Sequence, residues 1–595
     1  MILQALYNYY HIAPYMPPYG MKWQAIPFII VIDEDGKFIR LEDTRGEEEK
    51  RGRRFLLPKP KPRSGKSSFE VAQVLWDFGQ YVLGLPLNED GLRPPHFASF
   101  QKQLEMILEY CPNHIGLRAI LEFYRTNQLE ALFEDQTYQE IKGDEDKWKF
   151  SFRLSSERDY SVLIANSPTL NISEYLLQED QKLNSTIGTR AITGEVTQLS
   201  RLHETIDIRD GGTNPRIVAF QKSSGFDSYG KQQGENAPIS LVASDAIHSA
   251  LNTLIRYGED TNFYLSGITY LFWSTPADSQ LAKEYKESTF ALQISEGNEI
   301  DEASYRNRSK HLLQSLKTIV STKGALLHTD GKEGRFYILG LTPNNARISV
   351  VLWQEGSISE IIGNTLKHLQ DMNIIDKDGY IDPEEPPLRS VASIVRAISV
   401  SDKPDKWSKL MVKNIIRSIV GNLPYPREMQ LACLDRIRQT RNITPLRVAI
   451  LKAYLKRSRT NNYHDITMAL DKTNTETAYL LGRLFALFEG MQSATIESLN
   501  ASIRDRYYGA ASSAPSSTFG QLMKLYGAHH SKLTKNKPGL AHHYDKKVEE
   551  IFAGLPAKKL PTHFNADDQS LFAIGYYHEK MDLYNINKEK NAENE

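Results

Sequence analysis

The hydrophobic pattern of this 595-residue chain changes near residue 375. Before that point, short runs with strand-like alternation stand between helical stripes, and after it apolar residues recur at helical spacing. A single hydrophobic core stops growing at about 250–300 residues, so a chain of this length is expected to contain several domains. The pattern predicts an α+β fold, with one or more mixed α/β domains over residues 1–375 and a C-terminal α-helical bundle after them.

Strand-like segments are confined to the first part of the chain. The runs 26–32 and 37–41 flank a turn at 33–36, and the runs 335–341 and 347–353 flank a Pro-Asn-Asn turn, so each pair predicts a β-hairpin. Further strands are predicted at 149–154, 191–195, 217–220 and 263–273. Helices are predicted for residues 1–12 and for most of the chain after 402, and the tail after 585 is expected to be disordered because it is polar.

A polar loop, residues 226–240, lies between the predicted strand at 217–220 and a helical pattern at 246–257. It carries glycines, amides, a lysine and a tyrosine, and it has no apolar run long enough for a core strand. Such a segment is costly to keep ordered unless it contacts something. Amide, hydroxyl and ammonium groups suit hydrogen bonds to base edges and phosphates better than acid–base chemistry. We therefore interpret the polar loop as a binding element.

The net charge of the chain is −1, so any surface for nucleic acid must come from local segregation of charge. Residues 50–66 contain eight Lys and Arg and no acid, and their prolines favour an extended arm that could follow a phosphate backbone or simply be solvated. Residues 402–460 contain fourteen Lys and Arg against four Asp and Glu. Their helical spacing predicts that these positive charges lie on outer faces of packed helices.

Motifs for catalysis and metal binding are missing from the sequence. It contains no GxGxxG, Walker A, HExxH, GxSxG or CxxC pattern, and its two cysteines, Cys111 and Cys433, fit a reducing cytosol. The histidine pairs at 529–530 and 542–543 are the only cluster that suggests a metal site, and helix surface or a partner contact is favoured over metal binding. Trp76, Phe78 and Tyr81 could form a stacking platform, although core packing is the commoner use of such a group. No apolar run approaches the roughly 20 residues of a membrane span.

Several of these stretches together resemble one family. Residues 1–6, 75–84, 191–195, 226–240, 336–350, 478–485, 503–511 and 571–578 resemble, in this order, the large subunit of the type I-C CRISPR surveillance complex, Cascade. The resemblance covers about residues 1–580. Two stretches depart from it: Phe78-Gly79-Gln80 stands where relatives more often carry Asn and Lys, and residues 200–216 are divergent.

The resemblance implies a non-catalytic subunit, without a cofactor, in an RNA-guided antiviral assembly of the cytoplasm. Base pairing with the guide RNA would read the target, and this subunit would recognise the short PAM in double-stranded DNA, aid R-loop opening and hold the displaced strand. Its partners would be the other Cascade subunits and a helicase-nuclease that it recruits, with no membrane involved. A metal-dependent nuclease with dispersed carboxylates and a purely protein-contacting scaffold are the alternatives.

The resemblance and the residue chemistry together suggest two sets of contacts. The predicted DNA and PAM contacts are Ser228, Tyr229, Lys231, Gln232, Gln233, Asn236, Gln80, Asn344, Asn345 and Arg347. The predicted backbone contacts are Arg51, Arg53, Arg54, Lys59, Lys61, Arg436, Arg438, Arg441, Lys452, Lys456 and Arg457. An alternative assigns the polar loop to guide RNA or a neighbouring subunit, with the PAM read by the region 76–81.

The resemblance also implies that the C-terminal part is made separately as a small subunit from an internal start codon of the same gene. Met468 and Met491 are the in-frame candidates, and Met468 is preferred because it precedes an intact apolar helix at 475–489. The expected division is therefore an N-terminal domain at 1–375, a basic helical region at 376–467 and a helical bundle at 468–595.

Overall fold

The computed structural model describes two compact units. Its described residues are 2–592 with gaps at 15, 48–49, 64, 184–185, 193, 213–214, 223–224, 226–228, 257–259, 292–301, 324–333, 377–384, 402, 404–405, 459–465, 497–499 and 556–558. The first unit comprises Met1–Ile206 and Arg216–Thr253, and the second comprises Asp207–Pro215 and Leu254–Glu595. The three-part division at residues 375 and 467 stays a prediction.

The first unit combines short strands with helices. Its strands are β1 (Met21–Ala25), β2 (Phe28–Ile32), β3 (Phe38–Asp43), β4 (Arg54–Pro58), β5 (Trp76–Phe78), β6 (Lys149–Leu154), β7 (Ile187–Thr189) and β8 (Val196–Gln198). Its helices are α1 (Ile2–Ile12), α2 (Gly79–Val82), α3 (Pro95–Tyr110), α4 (Ile115–Arg125), α5 (Leu129–Phe133), α6 (Gln136–Gln139), α7 (Ile172–Leu183) and α8 (Leu241–Ile255), which ends in the second unit. Single 3-10 turns occur at Ser68–Glu70, Glu145–Lys147, Ile164–Asn166 and Gln233–Asn236.

The main sheet of the first unit has the strand order β3-β2-β6-β5. Strand β2 is antiparallel to β3 and parallel to β6, and all five of its residues are buried, as expected for a central strand. This confirms the hairpin predicted at 26–41. In its turn, Asp33 Oδ1 accepts the backbone N–H of Asp35 at 3.1 Å and of Lys37 at 2.8 Å, which holds the two strands in register.

The second unit contains a sheet and most of the helices. Its strands are β9 (Asn262–Leu265), β10 (Ile268–Thr275), β11 (Arg335–Asn344) and β12 (Arg347–Ser357). Its helices are α9 (Ser279–Lys286), α10 (Glu302–Thr318), α11 (Ile358–Asp371), α12 (Val391–Ile398), α13 (Lys409–Val420), α14 (Arg427–Thr440), α15 (Pro445–Arg457), α16 (Thr477–Thr495), α17 (Ile503–Ala511), α18 (Pro515–Asn536), α19 (Pro538–Gly554) and α20 (Ala566–Ala592). Two π-helical turns lie at Glu287–Ala291 and Ile319–Lys323.

The sheet of the second unit is antiparallel throughout, in the order β12-β11-β10-β9. The hairpin predicted around 342–346 is confirmed: Asn344 pairs with Arg347, and Asn345 takes a left-handed φ of 56° in the turn. The single strand predicted at 263–273 is wrong, because Ser266 and Gly267 have φ values of 54° and 74° and reverse the chain. Residues on both sides of this turn form β9 and β10.

Close backbone contact joins two helices of the C-terminal bundle, α16 and α20. A Cβ atom added to Gly482 would overlap the backbone carbonyl of Phe572, and one added to Gly575 would overlap that of Tyr479. The stretches 478–485 and 571–578 therefore pack against each other. Between them, the buried Arg483 guanidinium donates to Glu579 at 2.8 Å. Together with the N-terminal sheets, this bundle confirms the predicted α+β class.

Three local predictions fail. Residues 191–192 form a turn and residues 194–195 are irregular, so the predicted strand at 191–195 instead connects β7 to β8. Residues 217–220 form a bend followed by irregular chain, so the strand predicted at these four residues is wrong. The last helix continues to Ala592, past the predicted start of a disordered tail at 585, because helical backbone bonds need no apolar side chain.

Candidate nucleic-acid interface

The base of the polar loop is fixed by its own hydrogen bonds. Gln233–Asn236 form one 3-10 turn, and the backbone N–H of Gln232 donates to Glu235 Oε2 at 2.7 Å. The Asn236 side-chain amide donates to the Gln233 carbonyl at 3.2 Å. Two of the predicted base-reading amides, Gln233 and Asn236, therefore act in part to shape the loop. The predicted contact Ser228 lies outside the described residues.

Neighbouring segments of the first unit also hold this base. Arg201 Nη1 donates to Gln233 Oε1 at 2.9 Å, and Thr186 Oγ1 donates to Glu235 Oε1 at 3.0 Å. Gly234 donates its N–H to the Arg201 carbonyl at 3.0 Å, and a Cβ there would overlap the backbone of residues 200–201. Arg201 and Glu235 were not selected from the sequence. Glu235 stands three residues after Gln232, the spacing of a capping box, so its role in the turn could have been predicted from the sequence. No sequence pattern indicated the role of Arg201.

The end of the polar loop is tied to the start of α8. Ser240 Oγ accepts the N–H of Ala243 at 3.1 Å, which caps the helix, and it also accepts Arg190 Nη1 at 3.1 Å. Arg190 is itself paired with Glu195 at 2.5 Å. The backbone N–H of Ser200 donates to the Ile239 carbonyl at 2.8 Å. The loop thus ends on a rigid helix start.

The described tip of the polar loop is fully solvent-facing. Tyr229 is 102% exposed and has a φ of 52°, and the next residue, Gly230, has a φ of 75°. Lys231 and Gln232 are exposed as well. A phenol, an ammonium and an amide therefore project from a base that is fixed on both sides. This arrangement suits recognition of a partner, because little ordering of the base remains to be done on binding.

The other predicted PAM contacts lie on separate elements. Gln80, on α2 of the first unit, is half-buried. Asn344, Asn345 and Arg347 are exposed at the β11–β12 turn, which belongs to the second unit.

The rings of Trp76 and Tyr81 belong to the core, with 2% and 4% exposure. Trp76 Nε1 donates to the Pro58 carbonyl at 3.0 Å, and the Arg63 guanidinium lies 3.9 Å from the Tyr81 ring centroid. The core interpretation of this aromatic group is confirmed. Phe78 is only partly buried.

The basic arm, residues 50–66, is largely part of the folded first unit. Its middle is β4, which pairs with β1 in a two-stranded sheet. Lys59 forms a buried ion pair with Asp245, and Lys61 Nζ donates to Gln103 at 3.5 Å. Arg53 is half-buried and donates to the Tyr160 carbonyl. Arg51 and Arg54 are the predicted contacts of this arm that remain exposed.

In the basic helices of the second unit, too, some of the predicted backbone contacts are exposed and others are buried. Arg438 and Arg441 are exposed, although Arg438 also contacts Asp435 at 3.1 Å. Arg436 is half-buried. The outer-face prediction is wrong for Lys452, which is 1% exposed, because α15 is covered on more than one side. Burial lowers the pKa of Lys452 to about 7.

Two further predicted backbone contacts, Lys456 and Arg457, form ion pairs with the same carboxylate, that of Asp371. Arg457 Nε donates to Asp371 at 2.7 Å, and Lys456 Nζ lies 3.5 Å from the same carboxylate. Both partners of the first pair have side chains less than 10% exposed. In this conformation Arg457 therefore serves the interior, and its predicted role at a phosphate backbone stays a prediction.

Metal-binding geometry is not found in the part of the chain that the structure describes: no three His, Cys, Asp or Glu side chains converge there. His530 Nε2 instead contacts Asp545 Oδ2 at 2.7 Å between two helices of the bundle. Among the described helices, none is both long and apolar enough to cross a membrane.

Comparison with known families identifies the class of protein. A family model matches residues 4–584, nearly the whole chain, and it describes CRISPR-associated proteins. The chain belongs to this family, whose description is CRISPR-associated protein (Cas_Csd1). No curated protein matches the chain. Membership confirms, at the level of the family, the resemblance to CRISPR machinery seen in the sequence.

Proposed function

We propose that this chain is the large, non-catalytic subunit of a type I-C Cascade complex and that it recognises the PAM in double-stranded DNA. The observation that carries the proposal is the tip of the polar loop, where Tyr229, Lys231 and Gln232 project from a hydrogen-bonded base in a CRISPR-associated protein. Amide and ammonium groups can read acceptors and donors on base edges in either groove.

The proposed function extends to the steps that follow PAM recognition. The subunit aids R-loop opening, and the exposed cations of the second unit, such as Arg438 and Arg441, hold the displaced strand or the guide–target duplex through its phosphates. It recruits the helicase-nuclease to the opened target. The guide RNA, the other Cascade subunits and a small subunit from the same gene are its partners, and the assembly acts in the cytoplasm.

The experiment compares binding of the assembled complex to duplexes that contain or lack the PAM. Lys231→Ala and Gln232→Ala should each weaken the preference by about 1–3 kcal/mol while leaving the thermal stability of the complex unchanged. Lys142→Ala, an exposed lysine elsewhere in the first unit, is the matched control. Equal affinity of the unaltered complex for both duplexes would contradict PAM reading and favour a scaffold.

The nuclease alternative is tested separately. The purified chain, incubated with DNA and Mg²⁺ or Mn²⁺, should leave the DNA intact. Cleavage that is abolished by a chelator would contradict the non-catalytic assignment.

A further inference from the structure

Arg201 is an exposed residue beside the polar loop, and the fold uses only part of its guanidinium. Its Nη1 donates to Gln233 Oε1 at 2.9 Å, and its backbone carbonyl accepts the N–H of Gly234 at 3.0 Å. A guanidinium carries five N–H donors, and this bond engages one of them. Among the residues that the structure describes, no Asp or Glu forms an ion pair with Arg201. Most of its donors are therefore left for a ligand.

The backbone of the polar loop sets the position of this arginine. A Cβ on Gly234 would overlap the Ser200 carbonyl oxygen, so residues 200–201 and 233–234 are in direct backbone contact. Gln233 has a left-handed φ of 45°, which is uncommon for residues other than glycine. Backbone of this kind persists where the surrounding contacts hold it, and it is concentrated at functional sites. The Arg201 guanidinium is therefore fixed on the residue that directly follows the exposed Gln232.

The hydrogen-bonding groups at this place are mostly donors. Because the amide oxygen of Gln233 is engaged by Arg201, the part of that amide left for a ligand is its NH2 group. The exposed ammonium of Lys231 donates as well. Glu235 is the one acid of the 3-10 turn, and both of its carboxylate oxygens already accept hydrogen bonds within the first unit. This set of side chains suits a ligand that presents acceptor atoms.

We propose that Arg201 is a base-reading residue of this subunit, which donates hydrogen bonds to acceptor atoms on the edge of a base pair in the PAM. The inference rests on the proposed function and extends it to the divergent segment 200–216, for which the family resemblance implies no contact. A phosphate contact would need only the positive charge, whereas a base edge needs a guanidinium with a fixed orientation. The hydrogen bond to Gln233 supplies that orientation.

Two edges of a base pair present such acceptors, and base analogues distinguish them. Guanine offers N7 and O6 in the major groove, and an A·T pair offers adenine N3 and thymine O2 in the minor groove. The test first determines the preferred PAM of the assembled complex from duplexes with randomised flanking bases. In the preferred duplex, 7-deazaguanine then removes the N7 acceptor, or 3-deazaadenine removes the N3 acceptor. One of the two should weaken binding of the unaltered complex by about ten-fold, and loss with neither would overturn the proposal.

Arg201→Gln separates base reading from a role in shaping the loop. Its amide can still donate to Gln233, but it lacks the charge and the fork of donors. This variant should bind the preferred duplex about ten-fold less tightly, and it should be indifferent to the analogue that weakens the unaltered complex. Arg118→Gln removes the same charge at an exposed position of α4 and should respond to the analogue as the unaltered complex does. An Arg201→Gln complex that remains fully sensitive to the analogue would overturn the proposal and leave Arg201 a positioning residue.

The comparison of two duplexes for each complex keeps the result decisive, because a general loss of affinity in a variant cancels in the ratio. Arg201→Ala, which cannot form a new amide contact, should be as indifferent to the analogue as Arg201→Gln. A loss that is equal for all duplexes, with a salt slope reduced by about 1, would indicate a phosphate contact and overturn the proposal. If the unaltered complex binds every flanking sequence equally, PAM recognition itself fails. If it has a preference that Arg201 does not affect, only the role of Arg201 fails.

Discussion

The ammonium of Lys59 forms a buried ion pair with the carboxylate of Asp245, a residue 186 positions further along the chain. Lys59 follows β4 directly, and Asp245 lies near the start of α8, the helix that succeeds the polar loop. Asp245 also accepts the N–H of Gly20 at 3.3 Å. The pair thus joins the basic arm to the helix on which the polar loop ends, and it makes Lys59 part of the scaffold.

Removal of Lys59 should destabilise the first unit strongly. Lys59→Met leaves the Asp245 carboxylate buried without its cation, which should reduce the free energy of unfolding by about 3–5 kcal/mol. The double variant Lys59→Met/Asp245→Leu should recover most of this loss, because no buried charge remains. Chemical denaturation measures both, with exposed Lys102→Met as the control. A double variant as unstable as the single one would contradict the expectation.

Gly234→Ala should loosen the polar loop. Its Cβ would overlap the backbone of residues 200–201, so the base must shift and lose the hydrogen bonds that hold it. Limited proteolysis should cut the polar loop faster in this variant, and the assembled complex should lose PAM preference. Gly230→Ala is the control in the same loop: its added Cβ meets no neighbour, and only the left-handed backbone costs about 1–2 kcal/mol. Equal cleavage of the two variants would count against a fixed base.

The stability of the second unit should depend on His578 below neutral pH. Burial lowers the pKa of His578 to about 3, against about 6.5 in the unfolded chain, so the unfolded state binds more protons as the pH falls. Stability contributed by the neutral ring is present above about pH 6.5 and declines towards pH 3, by up to about 1.4 kcal/mol per pH unit. His578→Phe removes one group that titrates on unfolding, so the slope of stability against pH should fall by up to about 1.4 kcal/mol per pH unit between pH 6 and 4.5.

Thermal denaturation across this pH range checks the His578 prediction. His11→Gln, at an exposed position, should leave the pH dependence as it is in the unaltered chain. The absolute stability of His578→Phe can also change, because His578 Nδ1 contacts the Tyr479 hydroxyl at 3.0 Å. The slope is therefore the deciding quantity, and an unaltered slope would refute the assignment.

Lys452 should affect stability at alkaline pH. Its pKa, lowered by burial to about 7, lies below the unfolded value of about 10.4, so the folded state binds fewer protons between these values and stability rises with pH there. Lys452→Met should flatten this rise and stabilise the protein at pH 7. Denaturation at pH 7 and pH 10 measures the effect, with exposed Lys406→Met as the control. A steep rise that persists in Lys452→Met would contradict it.

Elements with a strong periodic pattern were predictable from the sequence. The hairpin at 26–41, the strand Lys149–Leu154 and the helix that became α16 all appear where their patterns placed them. The failures have local causes: the left-handed pair Ser266 and Gly267 splits one predicted strand, and the short apolar runs at 191–195 and 217–220 find no strand partner. Three or four apolar residues do not distinguish a strand from a connection.

The candidate site was predictable only in part. The polar loop was recognisable from its composition, and its tip is exposed as a binding element requires. The sequence did not show which residues of the loop form its tip and which form its base. The tip carries Tyr229, Lys231 and Gln232, and the base carries Gln233 and Asn236. This division depends on hydrogen bonds from Arg201 and Thr186. These partners are tens of residues away in the chain.

The sequence by itself determined the fold class, the place of the polar loop and the two basic segments, because periodicity and composition are properties of neighbouring residues. Only the tertiary structure decided which cations remain available. It buried Lys452, paired Lys59 and Arg457 with the buried carboxylates of Asp245 and Asp371, and left Arg51 and Arg54 exposed. The physical reason is that the energy of a charge depends on its burial and on the charges around it, and both are set by contacts between distant parts of the chain.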